Sequence, residues 1–412
     1  MAAASSKSYL LPNKTFVKML TALKSLLKRS PTLKSLVQRY RSLLRPKIPP
    51  ICEDIMAWSP RRNYHIVKLH DAFTVKLNIP VNAFDHDIVY GRFLINSCLG
   101  FPAQFMSGLR NASVLGNGFV ALEEGVYLTQ GNWQALKVLG YLSMYPNRAK
   151  KSKQEYLPGN WYSIRSYWSH SYHHWFWDDL TRLLPAIPHL PADTQFLVGE
   201  PFLEFQRESL LALGITANRV KVQSLDTNLK IENLWFATPL RCLDYATTAP
   251  DVAKQLQTIF QTNSQPSPFR KIYISRSLAK YRRIVNEPDL IAMLESFGFE
   301  IIHAEKLSFE SQVKLFNEAK VILSSHGAGL TNMLFAPSSA LVIELFEPTA
   351  AHTHYWTMAH TLGHNYDCLI GETVESDTDW GKIGSGYPDF IMDVDSLQNL
   401  LNKYLNQNGD FN

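Results

Sequence analysis

The residues best suited to chemistry are His326-Gly327-Ala328-Gly329-Leu330-Thr331-Asn332, which follow the apolar run Val321-Ile322-Leu323 and two serines. Leu330 to Phe335 then reads as the first turns of a helix. A strand, a glycine turn and a helix N-terminus make an anion site. The glycines let backbone approach a ligand, and the N–H groups and helix dipole favour negative charge. His326 stands at the lip, where an imidazole can donate to a phosphate oxygen. Arg276 and Glu344 lie at the ends of two neighbouring predicted strands, so they converge with His326 at one rim. Glu344 is suited to accept from a ribose hydroxyl or to pair at that rim, and Asn332 to bond a phosphate or to satisfy the turn. A second set lies in Tyr167-Trp-Ser-His-Ser-Tyr-His-His174-Trp-Phe-Trp-Asp178-Asp179. On a helix from Trp175 onward, His174 and Asp178 are four apart and share a face, while Asp179 points elsewhere. A carboxylate held by an imidazole is a general-base arrangement. The same pair would also serve as a cap on a buried helix N-terminus. The dense aromatics offer sugar-stacking faces.

These residues need elements to hold them, and the pattern from about 270 to 370 supplies an alternating α/β unit. Lys271–Arg276, Phe299–His303, Val321–Ser325 and Ala340–Phe346 read as strands. Between them, Asn286-Glu-Pro-Asp opens a helix that stops at Gly298, and Ser308 caps one that runs to Ala319. Strands alternating with helices predict a parallel sheet with right-handed crossovers, with ligands beyond the carboxyl ends of the strands. Before 270 the reading is coarser. Residues 82–130 read as β-rich with a strand at Ile88-Val-Tyr90, and 145–160, ending in Pro158-Gly159, as a loop. Gln195–Val198 and Val220–Val222 read as strands, and Phe202–Leu213 and Asp251–Phe260 as helices. The polar stretch 261–268 reads as a linker and Ser396–Leu405 as a final helix.

Ser275-Arg276, Tyr281-Arg282-Arg283-Ile284-Val285-Asn286-Glu287, Gln312, His326–Asn332 and Ile343-Glu344-Leu345, in that order and spacing, resemble glycosyltransferase family 61. That family includes O-linked N-acetylglucosaminyltransferases of the secretory pathway, plant xylan transferases and bacterial members, and the chain is expected to be one of the bacterial ones. The resemblance implies a GT-B-like α/β architecture, two Rossmann-like domains facing a central cleft, with the nucleotide-sugar on the C-terminal one. It also implies inverting transfer without an obligatory metal. The family's His-x-x-x-Asp motif falls on His174 and Asp178, which makes Asp178 the base for an acceptor hydroxyl. Without a metal, the growing charge on a nucleoside diphosphate needs cations and N–H donors, and arginine forks suit it. Arg276 and Arg282 fill that role, Arg282 matching the family pattern better than Arg283. The expected divisions are a basic helical extension over 1–50, an acceptor-side domain over 51–260, a nucleotide-sugar domain over 269–395 and a helix over 396–412.

Length and composition agree with two medium domains: 412 residues, 46% apolar and 12% aromatic. Residues 1–50 hold eleven Lys and Arg and no acid, while the other 30 basic and 36 acidic residues leave the rest at −6. Leucines and valines three or four apart from Thr15 to Leu44 suggest basic amphipathic helices, read equally as a peripheral contact to an anionic membrane or as an arm docked on the body. No run approaches the ~18 apolar residues of a membrane span, and no signal-peptide pattern is visible, so the expected location is the cytoplasm. Four scattered cysteines argue against a zinc site or a disulfide framework. Of the Asp-x-Asp pairs that carry divalent ions in many glycosyltransferases, Asp393-Val-Asp395 reads as a helix cap, Asp377-Thr-Asp379 as a loop, and Asp85-His-Asp87 precedes the nucleotide-domain strands. No metal ligand and no cofactor beyond the donor is therefore expected. The combined reading is an inverting transferase moving a sugar from a nucleotide-sugar, expected to be a UDP-sugar, to a glycan or protein hydroxyl. A non-catalytic nucleotide- or sugar-binding module and an NAD-dependent oxidoreductase are the alternatives. The second lacks Gly-x-Gly-x-x-Gly after its first strand. Nucleic-acid binding would rest on the basic arm alone.

Overall fold

The computed structural model describes residues 52–405 apart from 54, 117, 123–126, 129–151, 167, 240, 243–244, 247, 262–266 and 375–386. The basic segment 1–50, most of the expected linker and Asp377-Thr-Asp379 lie outside the described residues. The described residues form one compact unit.

The second half of that unit is the sheet that the alternating pattern predicts. Five strands lie in the order Phe299–Ile302, Arg270–Ile274, Ala319–Ser325, Leu341–Phe346 and Asn365–Ile370, and every pair is parallel. In chain order this is 2-1-3-4-5, so the order reverses between Arg270–Ile274 and Ala319–Ser325. A crevice opens at such a switch point, beyond the carboxyl ends of the two strands. Register fixes which residues meet there: Ile274 sits opposite Ser324, and Ser325 opposite Leu345. Arg276 and His326 therefore leave the sheet at the same edge. The run Val321–Leu323 has no polar alternation because both faces are covered. Val321 and Leu323 pack with Leu290, Leu294, Leu397 and Leu401 of two helices, Glu287–Ser296 and Val394–Leu405. Ile322 faces the opposite layer.

That opposite layer joins this sheet to the first. The first sheet has nine strands and is mixed: Gln104–Val114 runs antiparallel to Thr227–Ala237, which runs parallel to Lys153–Ser163, itself parallel to Gln195–Gly199. One apolar cluster extends from Tyr162, Phe196 and Val198 of this sheet, through Trp175, Phe176 and Leu180, to Ile272, Ile322 and Val342 of the other. The structure is α/β as expected, but only one sheet is of the parallel Rossmann-like kind. Core side chains, rather than an open cleft, fill the space between Phe176 and the second sheet.

Three local readings are corrected. Residues 153–163 form a central strand, not a loop. Pro158-Gly159 is absorbed as a bulge: Leu157 pairs with Ile231 and Asn160 with Asn233, one residue extra on this side. Gly159 takes φ +80° there, and its N–H donates to Glu232 Oε2 at 2.7 Å. Ile88-Val-Tyr90 is helical, within Asp87–Ile95. After the glycine turn the chain makes a 3₁₀ helix, Ala328–Phe335, whose buried face packs in the central core.

Candidate active site

Arg276 leaves the first strand of the parallel sheet just after Ser275, whose N–H is held by Ile302 O at 2.8 Å. Its guanidinium lies over Gly327, where a Cβ would collide with it. The need for glycine here is close approach, since Gly327 is extended at φ 174°. Gly329 has a similar reason, because a Cβ there would meet Ile274 Cγ2 at 3.1 Å. Arg276 donates to Tyr281 O at 3.2 Å and its Nε has no partner. Arg282 sits in the left-handed region, φ +58°, which costs a non-glycine residue energy. Its carbonyl accepts from Ser325 Oγ at 3.2 Å, so the loop is tied to the end of the third strand, and its Nε also lacks a partner. Among the described residues neither arginine has a carboxylate within ion-pair distance. Burial, then the charge of Arg282, holds Arg276 down to about 10, and burial lowers Arg282 as well. Two partly desolvated like charges with no counter-ion make a site that favours an anion. Arg283 differs: it is half exposed and pairs with Asp389 at 2.7 Å.

His326 is buried beside them. Its Nδ1 lies 2.5 Å from Glu344 Oε1, and the other oxygen of Glu344 accepts from Tyr366 Oη at 2.6 Å. Burial raises the Glu344 carboxyl to about 8 and holds the His326 ring well below its ordinary value; Arg282 is the next cause for His326. Of the two readings of Glu344, the pairing at the rim is the one seen among the described residues. It is fully buried, both oxygens are engaged, and it holds the imidazole. Leu330 and Asn332 are likewise engaged within the chain. Leu330 gives its N–H to Gly327 O at 3.0 Å and buries its side chain. Asn332 accepts from Tyr172 Oη at 2.6 Å and donates to Gln312 Oε1 at 2.9 Å. Both are braces of the turn. Gly327 is buried beneath Arg276, while exposed Ala328 and half-buried Gly329 line a cavity.

The second set arrives on one helix of three parts: Tyr172–His174, a π-helical turn Trp175–Leu180, and Thr181–Leu183. Single π turns recur at functional sites. His174 Nδ1 lies 2.7 Å from Asp178 Oδ2, and the Asp178 side chain is 9% exposed. Asp179 points the other way, into a buried group with Arg182 at 3.7 Å and Ser166 at 3.2 Å; burial pushes its carboxyl up to about 7. Trp175, Phe176 and Trp177 are wholly buried, so they are core rather than sugar platforms. Trp168, half-buried, stacks on His174 with centroids 5.8 Å apart. The same helix is bolted to the glycine turn: Tyr172 bonds Asn332, and His173 Nδ1 meets Thr331 Oγ1 at 3.1 Å. The His174–Asp178 pair thus stands one residue from the turn that carries His326.

Next to the arginines, at the switch point, lies a cavity of about 490 Å³ walled by Tyr172, Phe205, Arg276, Glu305, Gln312 and Gly329 among others. Its size suits a nucleotide-scale ligand. Among the described residues no group of three or more His, Cys, Asp or Glu is arranged to hold a metal ion. Asp393 caps a helix, accepting from the Ser396 N–H at 3.2 Å. No described helix is long and apolar enough to cross a membrane.

Residues 172–343 match the family model Glycosyltransferase 61. Relatives of the chain include the EGF domain-specific O-linked N-acetylglucosamine transferase of Drosophila melanogaster, 36% identical over 80 residues, 19% of this chain and 15% of that protein. The mouse (Mus musculus) enzyme of the same name is 31% identical over 93 residues, 21% and 18% of the two chains. Protein O-linked-mannose beta-1,4-N-acetylglucosaminyltransferase 2 of Xenopus tropicalis is 37% identical over 94 residues, 22% and 16%. The matched segments span less than a fifth of each relative's length. These animal relatives lend no support to the expected bacterial origin.

The match has informative boundaries. It starts at Tyr172, the first residue of the helix bearing His174 and Asp178, and includes Arg276, Arg282 and the glycine turn. It stops one residue before Glu344, so several residues that complete the site lie beyond it. His352, His354 and Tyr355 close around His326, with ring centroids 5.4, 6.5 and 5.2 Å away, and His354 lies 6.1 Å from His173. His352 Nε2 meets Tyr387 Oη at 2.6 Å. Sequence reasoning missed this set. The signal was there: His352-Thr-His354-Tyr355 follows the buried strand Leu341–Phe346, at the same sheet edge as the glycine turn.

Proposed function

We propose that this chain is an inverting glycosyltransferase that moves a sugar from a nucleotide-sugar, a UDP-sugar, to a hydroxyl of a glycan or protein acceptor. The observation that carries it is the pair Arg276 and Arg282, without carboxylate partners, against a turn bonded directly to the helix bearing His174 and Asp178. In this reading the diphosphate lies across Arg276, Arg282, His326 and the Gly327–Gly329 backbone, with the nucleoside in the adjoining cavity. Asp178, oriented by His174, takes the acceptor's proton as its oxygen attacks the anomeric carbon. The bond to the diphosphate breaks on the opposite side, and the charge that gathers on the leaving oxygen falls on the arginines. Glu344, Asn332 and Leu330 position these groups. The names of the relatives, an O-linked N-acetylglucosamine transferase and an O-linked-mannose N-acetylglucosaminyltransferase, support the reaction class.

The arginines supply the positive charge that a divalent ion would otherwise bring, so transfer is proposed to need no metal. Residues 1–50, with eleven cations, are proposed to meet an anionic membrane face from the cytoplasmic side. Calorimetric titration with UDP, GDP, ADP and NAD, each with and without EDTA, tests the donor site. Specific, EDTA-resistant binding of UDP is expected. Binding that vanishes with EDTA overturns the metal-free mechanism, and binding of NAD alone overturns the reaction class.

A further inference from the structure

We infer that the buried Glu344–His326 pair takes up one proton when a nucleoside diphosphate binds, so that His326 meets the diphosphate with its Nε2–H as a donor. This rests on the donor-site reading above. The geometry allows few alternatives. Nδ1 of His326 is 2.5 Å from Glu344 Oε1, so one proton lies between them in any state of the pair. Nε2 makes no hydrogen bond among the described residues. With two protons the pair is neutral overall, as either carboxyl and imidazole or carboxylate and imidazolium, and in both forms Nε2 carries a hydrogen. With one proton the pair has charge −1: the proton sits on Nδ1, and Nε2 presents a lone pair. That lone pair, and the net negative charge behind it, would repel a phosphate oxygen.

The groups facing the pair decide how evenly the two states are matched. From the loop after the first parallel strand come Arg276 and Arg282, which favour the anionic state in the free protein. From the last strand Tyr366 donates to Glu344 at 2.6 Å and favours it too, while Asp367 and Cys368 lie close by on that strand. His352 and His354, from the loop and helix start beyond Phe346, and Tyr355 surround the ring; burial holds both of these histidines low. Burial opposes the anionic state and raises the carboxyl to about 8. A diphosphate then cancels the field of the arginines and adds its own, which moves the balance to the two-proton form. The proton comes from solvent; no other bond changes.

The test is calorimetric titration of the full chain with UDP at pH 8.5, in two buffers of different ionisation enthalpy. A terminal phosphate titrates near pH 6, so the ligand contributes no proton there. The expected result is uptake of a substantial fraction of one proton, with affinity constant below about pH 8 and falling toward tenfold per pH unit above it. In Glu344→Gln the amide donates to Nδ1 and fixes the Nε2–H form, so uptake vanishes and affinity becomes flat from pH 7 to 9. Tyr366→Phe removes a donor to the carboxylate, so the fall in affinity begins at higher pH; this second variant stands if the first fails to fold. UDP binding without buffer-dependent heat overturns the inference and leaves the donor site intact. Undiminished uptake in Glu344→Gln also overturns it, because another group then takes the proton. Failure of any nucleoside diphosphate to bind removes the donor-site reading and this inference with it.

Discussion

Asp178 and Asp179 are adjacent in sequence and opposite in circumstance. Asp178 meets His174 at the edge of the site, whereas Asp179 is 1% exposed among Arg182 and Ser166. Asp178→Asn keeps size and hydrogen bonding but cannot accept a proton, so kcat should fall by about 10²- to 10⁴-fold. UDP affinity, measured by calorimetry, should stay within about twofold of wild type by the same uniform-binding logic. Asp179→Asn should act on stability instead. Burial pushes its carboxyl up to about 7 in the folded chain, from an ordinary 3.8. The folded chain thus keeps that proton after the unfolded chain has lost it, and stability falls as pH rises between those values. Thermal melts over that window should slope downward in wild type and be flatter in Asp179→Asn; parallel profiles would exclude Asp179 as the source. Arg276→Ala and Arg282→Ala should each weaken UDP binding by about 10- to 100-fold, the range for a hydrogen bond to a charged group. Arg283→Ala should leave it unchanged, because that guanidinium is committed to Asp389. That Arg276 and His326 leave neighbouring strands at one edge, and that His174 meets Asp178 four residues on, was legible because strand and helix patterns are local. For Glu344 and Asn332 the sequence left a pairing role open but could not name the partners, since Tyr366, Tyr172 and Gln312 come from distant parts of the chain.

At the scale of elements, the joint between the helix at 172–183 and the glycine turn governs how Asp178 stands relative to Arg276 and Arg282. Tyr172 Oη, Asn332 and Gln312 form a continuous chain across it. Tyr172→Phe deletes one link without opening a hole in the aromatic contacts to Phe176 and Phe205. The expected effect is a fall of roughly tenfold in kcat, from misplacement of the base, with UDP affinity unchanged. An equal loss of affinity and turnover would make Tyr172 a donor ligand instead, as its place in the cavity wall permits. The strands on either side of the switch point were readable because burial on both faces leaves an unbroken apolar run, as in Val321–Leu323 and Leu341–Phe346. Lys153–Ser163 was not. Its Pro-Gly pair carries the local chemistry of a turn, and only pairing with Thr227–Ala237, some seventy residues on, converts it to a bulge. The π turn at Trp175–Leu180 left no mark in the apolar spacing, because helical periodicity does not distinguish i+4 from i+5 closure over six residues.

At the scale of the molecule, the question is whether the two sheets move as independent bodies or as one. Phe176 is the side chain that answers it. It stacks on Phe309 at 5.6 Å and meets Phe335 edge-on at 5.6 Å and Phe260 at 6.0 Å. Those partners belong to the helix Phe309–Asn317, the 3₁₀ helix after the glycine turn, and the helix Pro250–Phe260. The same apolar cluster continues to Tyr162 and Phe196 in the mixed sheet. A shared core of this kind couples unfolding of one sheet to unfolding of the other. Near-UV and far-UV circular dichroism should therefore report one coincident thermal transition. Phe176→Ala removes a fully buried ring and should destabilise that transition by about 3–5 kcal/mol while leaving it single. Two separate transitions, with only one sensitive to Phe176, would mean that the sheets are independent lobes and that the base and the cations are brought together by closure. With a single transition, the active site is built at folding: the helix that carries Asp178 is set by the same aromatic contacts that seat the turn carrying His326. Turnover of Phe176→Ala, assayed well below its melting temperature, should then fall more than its UDP affinity, because loosening this core disturbs the distance between base and donor before it disturbs the arginines.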